Sequence, residues 1–134
     1  MADGGPDVRF DHTIVPATDR HRSATFFTEM FGLPAPVELG HFAQVRLSDG
    51  RIFDFAESGS DFPGQHFAFL VDDATFDALV GRIRDRGIDH WADPQRRHPG
   101  EINHHHGGRG VYFLDPDGHY LEAITTRYDG SDLS

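Results

Sequence analysis

Two histidines and two carboxylates stand at matched places in this 134-residue chain: His12 is followed by Asp54, and His66 by Glu122. Two imidazoles and one carboxylate around an ion with open positions form a facial arrangement that suits Fe(II), Mn(II), Ni(II), Co(II) or Zn(II). An ion held that way binds adjacent oxygens of a small substrate and polarises them as a Lewis acid. A lone histidine near the start of a strand is an ordinary structural residue, so the weight rests on the repetition of the pattern. The chain has ten histidines but no cysteine and no lysine. Disulfides, thiolate ligands, cysteine nucleophiles and Schiff-base chemistry are therefore excluded. His104, His105 and His106 are adjacent among glycines, and three neighbours cannot all point at one ion. One of them, His104 or His106, with Arg109 or Tyr120, is expected to line the mouth of the site as a base or substrate anchor.

For the paired groups to meet, strands must carry them on one face. Val8 to Val15 reads as a strand ending near Pro16. Asp19 then caps a helix whose Ala24, Phe26, Phe27, Met30 and Phe31 recur at helical spacing until Gly32 and Pro34. A weak strand signal near Val37 to Leu39 precedes Phe42 to Leu47 and Ile52 to Ala56, the last two joined by a turn at Asp49-Gly50. The second half repeats the order. His66 to Val71 reads as a strand, and Asp72 or Asp73 caps a helix with Phe76, Leu79, Val80 and Ile83 on one face, ending at Gly87. Val111 to Leu114 and His119 to Thr125 form a hairpin through Asp115-Pro116-Asp117-Gly118. The chain is thus an internal duplication of a βαβββ module, at about 8–58 and 64–127, with a tail at 129–134 expected to be flexible.

Alternation along the strands puts His12 with Phe10 and Ile14, Asp54 with Ile52 and Ala56, His66 with Ala68, and Glu122 with Tyr120 and Ile124. Phe53, Phe55, Phe67, Phe69 and Leu121 take the opposite faces, where two amphipathic helices would cover them. The expected fold is α+β, with two tandem modules forming a curved mixed sheet around a metal-binding cavity. The His-to-carboxylate interval is 42 residues in the first module and 56 in the second. The excess falls mostly in a polar segment from about Asp89 to Gly110, too long for a passive connection. Trp91 and Phe62 are expected to pack in the core or to wall the pocket. A formal charge of −10 argues against nucleic acid, and no apolar run approaches the ~20 residues of a membrane span. Met1 to Asp7 lacks signal-peptide character, so a cytoplasmic location is expected.

The order of elements, the paired histidines and the segment Tyr112-Phe113-Leu114-Asp115-Pro116-Asp117-Gly118-His119-Tyr120-Leu121-Glu122 resemble the vicinal oxygen chelate superfamily over roughly residues 8 to 127. That group includes glyoxalase I, extradiol dioxygenases, fosfomycin-resistance transferases and bleomycin-resistance proteins. The resemblance implies His12, His66 and Glu122 as metal ligands, with a divalent ion as cofactor, and it implies a homodimer. Asp54 falls where glyoxalase I has a Glu or Gln ligand, and its shorter side chain suits a water-bridged or base role as well as ligation. The resemblance implies a metal-dependent enzyme on a small oxygen-chelating substrate, with glyoxalase-type lyase or isomerase chemistry placed first and Asp54 beside Glu122 as proton shuttle. An Fe(II) extradiol-type dioxygenase comes second, and a metal-free module sequestering an antibiotic third. A fosfomycin-type transferase ranks lower, because the chain has no evident potassium loop and no lysine for a phosphonate.

Overall fold

A computed structural model describes residues 4–133. Each half folds as a βαβββ module. The first contains β1 (His12–Ala17), α1 (Arg20–Phe31), β2 (Val37–Leu39), β3 (Phe42–Arg46) and β4 (Ile52–Glu57). The second contains β5 (His66–Leu70), α2 (Asp73–Asp85), β6 (His90–Trp91), β7 (Gly110–Leu114) and β8 (Tyr120–Ile124). The strands form two separate mixed sheets, ordered β1-β4-β3-β2 and β5-β8-β7-β6. In each, the first strand of the module lies parallel to the last, so residues far apart in the chain become neighbours.

The caps explain where the helices start. The Asp19 carboxylate accepts from the Arg22 amide, and Asp72 does the same for Thr75, so Asp72 rather than Asp73 is the cap of α2. At the end of α1, Gly32 takes the left-handed conformation (φ 71°) and returns its N–H to the Thr28 carbonyl. Two differences from the sequence reading go beyond a single residue at an element's end. β1 starts at His12 and runs through Pro16, which is tolerated because β1 is an edge strand. The long polar segment contains β6, only two residues long and without a periodic signal of its own.

One apolar core joins the modules. Phe27 of α1 packs on Phe31, Phe53 and Phe69 at ring-centroid distances of 4.9, 5.5 and 5.2 Å, and Phe53 meets Phe67 at 5.0 Å. Each such ring is worth ~1.5–3 kcal/mol on full burial, so this cluster locks the two sheets back to back. Polar clamps reinforce it. Asp117, in the β7–β8 turn, accepts from the Thr18 hydroxyl (2.7 Å) and the Ser23 hydroxyl (2.8 Å) in the other module. His119 is fully buried, accepts from the Gln65 amide at Nδ1 and donates from Nε2 to the Pro16 carbonyl (2.7 Å). Phe62 stacks on its ring at 5.5 Å. Since the inner faces share one core, the outer faces of the two sheets look away from each other. No helix among the described residues is long and apolar enough to cross a membrane.

Candidate metal centre

The outer face of the second sheet is built by cross-strand register. His66 lies opposite Tyr120, Glu122 lies between Ala68 and Tyr112, and Trp91 lies opposite Tyr112. The result is a carboxylate walled by aromatic rings. Glu122 is 3% exposed, and its Oε1 is 2.9 Å from Nε2 of the half-exposed His66. The rings of Tyr112 and Tyr120 each lie 6.1 Å from the His66 ring, and Trp91 meets Tyr120 edge-on at 6.4 Å. Burial, with the neighbouring Glu122 carboxylate and a side-chain hydrogen bond to it, pushes the Tyr112 hydroxyl well above the usual phenol range. Tyr112 therefore stays protonated and serves as a donor to Glu122. Nothing in the one-dimensional pattern singled it out, although its alternation with Phe113 on β7 already put it on the ligand face.

The pair fits a metal ion. Two donors at right angles, each ~2.1 Å from an ion, stand about 3 Å apart, close to the 2.9 Å between Nε2 and Oε1. A buried carboxylate also needs a positive partner, and an ion would replace the proton now shared with His66.

The structure places the other expected groups elsewhere. His12 and Asp54 lie on the first sheet, where Ile14 is opposite Asp54. The His12 ring is half-exposed and pairs with Asp11 at 2.8 Å. Asp54 is buried and accepts from the Gln44 side-chain amide at 3.0 Å, a partner that sequence reasoning did not name. Within one chain, no group of three or more His, Asp or Glu able to hold an ion forms among the described residues. The back-to-back packing is the reason, because the outer faces carrying His12 and His66 diverge.

The loop groups take other positions. Tyr120 puts its ring into the site but commits its hydroxyl outside it, donating to the Pro94 carbonyl (2.8 Å) and accepting from Arg96 (3.2 Å). Arg109 binds Asp73 and Asp77 and stacks over Phe76, so it braces α2 instead of anchoring a substrate. His104 precedes an exposed 3-10 turn, and His106 sits at φ 58° with its ring 5.0 Å from Tyr128. No hydrogen bond or ring contact joins either histidine to His66 or Glu122 among the described residues.

Comparison with known proteins agrees with this architecture. Glutathione transferase FosA from Serratia marcescens is 29% identical over 118 residues, covering 84% of this chain and 77% of that one. The solved structure of oxidase ChaP-H1 is 51% identical, with a TM-score of 0.89 over 92% of this chain and 99% of that one. Oxidase ChaP-H2 is 46% identical, with a TM-score of 0.89 over 92% and 98%. The model of the Glyoxalase/Bleomycin resistance protein/Dioxygenase superfamily matches residues 9–123, and the chain belongs to that superfamily.

Proposed function

We propose that this protein is a metal-dependent oxidase of a small, oxygen-bearing aromatic substrate, working as a homodimer. The observation that carries the reading is the His66–Glu122 pair, 2.9 Å apart under a wall of Tyr112, Tyr120 and Trp91. With His12 it makes the two-histidine, one-carboxylate set of non-haem iron oxygenases. The likeness to two oxidases at 51% and 46% identity puts oxidation ahead of the lyase chemistry that the sequence alone placed first.

Because one chain presents His12 and the His66–Glu122 pair on diverging faces, the triad is completed by His12 of a second copy. The first sheet's outer face exposes Ile14 (51%) and Val37 (62%), apolar surface that pairing of two copies would cover. A bound divalent ion supplies Lewis acidity and, as iron, one-electron chemistry with dioxygen. The chain's own groups do the rest. Tyr112 donates to Glu122 and fixes its orientation, and the aromatic walls position a planar substrate and exclude water. Asp54, held by Gln44 on the first sheet, keeps a structural place on the face that carries His12 and is not needed as a base for oxidation.

The test is oxygen uptake by purified protein reloaded with Fe(II), using catechols as substrates. Methylglyoxal–glutathione adduct and fosfomycin with thiol serve as the competing substrates. Oxygen consumption with catechols only is expected. Turnover of the adduct or of fosfomycin without oxygen uptake would replace the oxidase reading with the lyase or the transferase one. Tight binding of a large aromatic ligand with no metal and no turnover would point to sequestration.

A further inference from the structure

A loop between β6 and β7 folds over the outer face of the second sheet and brings Arg96 onto the site's aromatic wall. Its guanidinium carbon lies 5.0 Å from the centre of the Trp91 ring and 5.4 Å from that of Tyr120. The Nε–H donates to the Tyr120 hydroxyl at 3.2 Å, and that hydroxyl donates in turn to the Pro94 carbonyl at 2.8 Å. The remaining guanidinium N–H groups meet no carboxylate among the described residues, which leaves them free to take one. Tyr120 in turn is the ring beside His66.

The backbone shows that this placement is held against a cost. Arg96 has φ 62°, in the left-handed region where glycine is the relaxed residue. A short turn enforces it. The Arg96 N–H donates to the Asp93 carbonyl, and the Asp93 carboxylate accepts from the Arg97 amide (3.0 Å) and the His98 amide (2.9 Å). A glycine would suit this turn better, yet the residue present is a cation stacked on two rings. In a chain of net charge −10, that cation is the local attraction for an anion at a site whose other charged group is a carboxylate.

We propose that Arg96 determines specificity by binding an acidic group, a carboxylate, on the aromatic substrate whose neighbouring oxygens face His66 and Glu122. The guanidinium fork matches a carboxylate in two parallel hydrogen bonds, while Trp91 and Tyr120 hold it flat. The substrate class is then a dihydroxyaromatic acid, not a neutral catechol. This rests on the oxidase reading above.

The experiment titrates metal-loaded protein, without oxygen, with catechol and with 3,4-dihydroxybenzoate. Quenching of Trp91, the chain's single tryptophan, reads the binding. Wild type is expected to bind the acid about tenfold more tightly than catechol, the scale of one charge-assisted pair. Arg96→Gln and Arg96→Gly are expected to erase that preference while metal content, melting temperature and catechol affinity hold. The glycine variant relaxes the turn, so its folding is safe. An unchanged preference in both variants would overturn the role of Arg96 and leave the metal site standing. Equal loss of both ligands would overturn it too, by showing that Arg96 only packs the wall. Failure of wild type to bind either compound, with its metal in place, would overturn the substrate class along with the oxidase reading.

Discussion

Mixing two inactive variants tests the shared site directly. In a dimer whose sites each draw His12 from one copy and His66 with Glu122 from the other, His12→Ala spoils both sites of its homodimer, and His66→Ala does the same. In a mixed dimer the two lesions fall together in one site and leave the other with all three ligands. Random pairing at equal amounts makes half the dimers mixed, with one intact site in two, so metal content should recover to about one quarter of wild type. The variants are unfolded and refolded together, dialysed against a chelator strong enough to strip two-ligand sites, and measured by elemental analysis. Each variant alone should retain close to none. The structural basis is the back-to-back core of Phe27, Phe53, Phe67 and Phe69, which turns the outer faces apart. A mixture holding no more metal than its separate components would refute the argument and return the site to a single chain.

Three further outcomes are expected. His119→Ala leaves the Gln65 amide and Pro16 carbonyl without partners in a buried place, and should cost about 2–4 kcal/mol in urea denaturation. Asp54→Asn should keep its contact with Gln44 and the bound metal and lower oxidative turnover by less than about tenfold; a loss of ~10² or more would restore the lyase reading. Burial works to raise the Asp117 carboxyl, but bonds from Thr18 and Ser23 and the nearby Arg22 outweigh it and hold the group below its ordinary value. Its contribution is then present above the unfolded aspartate value and lost as pH falls through the depressed folded one, so acid unfolding below about pH 4 should be blunted in Asp117→Asn.

Much of the fold was legible because each signal was local. Asp19, Asp72 and Gly32 act within one turn of the helices they bound, and the Phe periodicity of α1 needs no knowledge of its partner. The His66–Glu122 contact was legible through duplication and alternation, since parallel pairing of first and last strands follows from the module's order. The relation of the two sheets was not. Whether two greasy faces cover one helix layer side by side or back to back depends on packing between Phe53 and Phe67, and that choice leaves no mark on either strand's pattern. Arg96 and β6 escaped for a related reason. A left-handed arginine is written in the sequence like any other, and a two-residue strand is shorter than any period.

The parallel pairing of β5 with β8 also sets the order of events during folding. His66 and Glu122 come from strands that open and close the second module, so their contact exists only after all the intervening chain has been gathered in. Most of the entropy of closing that loop is lost before an ion can find both donors, and the unfolded chain presents no comparable site. A covalent clasp across the same interval would be worth ~4 kcal/mol, which sets the scale for what a tightly held ion could add by tying the ends of the module. Because such a tie forms late, it acts on escape from the native state more than on arrival. Added metal should slow unfolding and leave the refolding rate nearly unchanged.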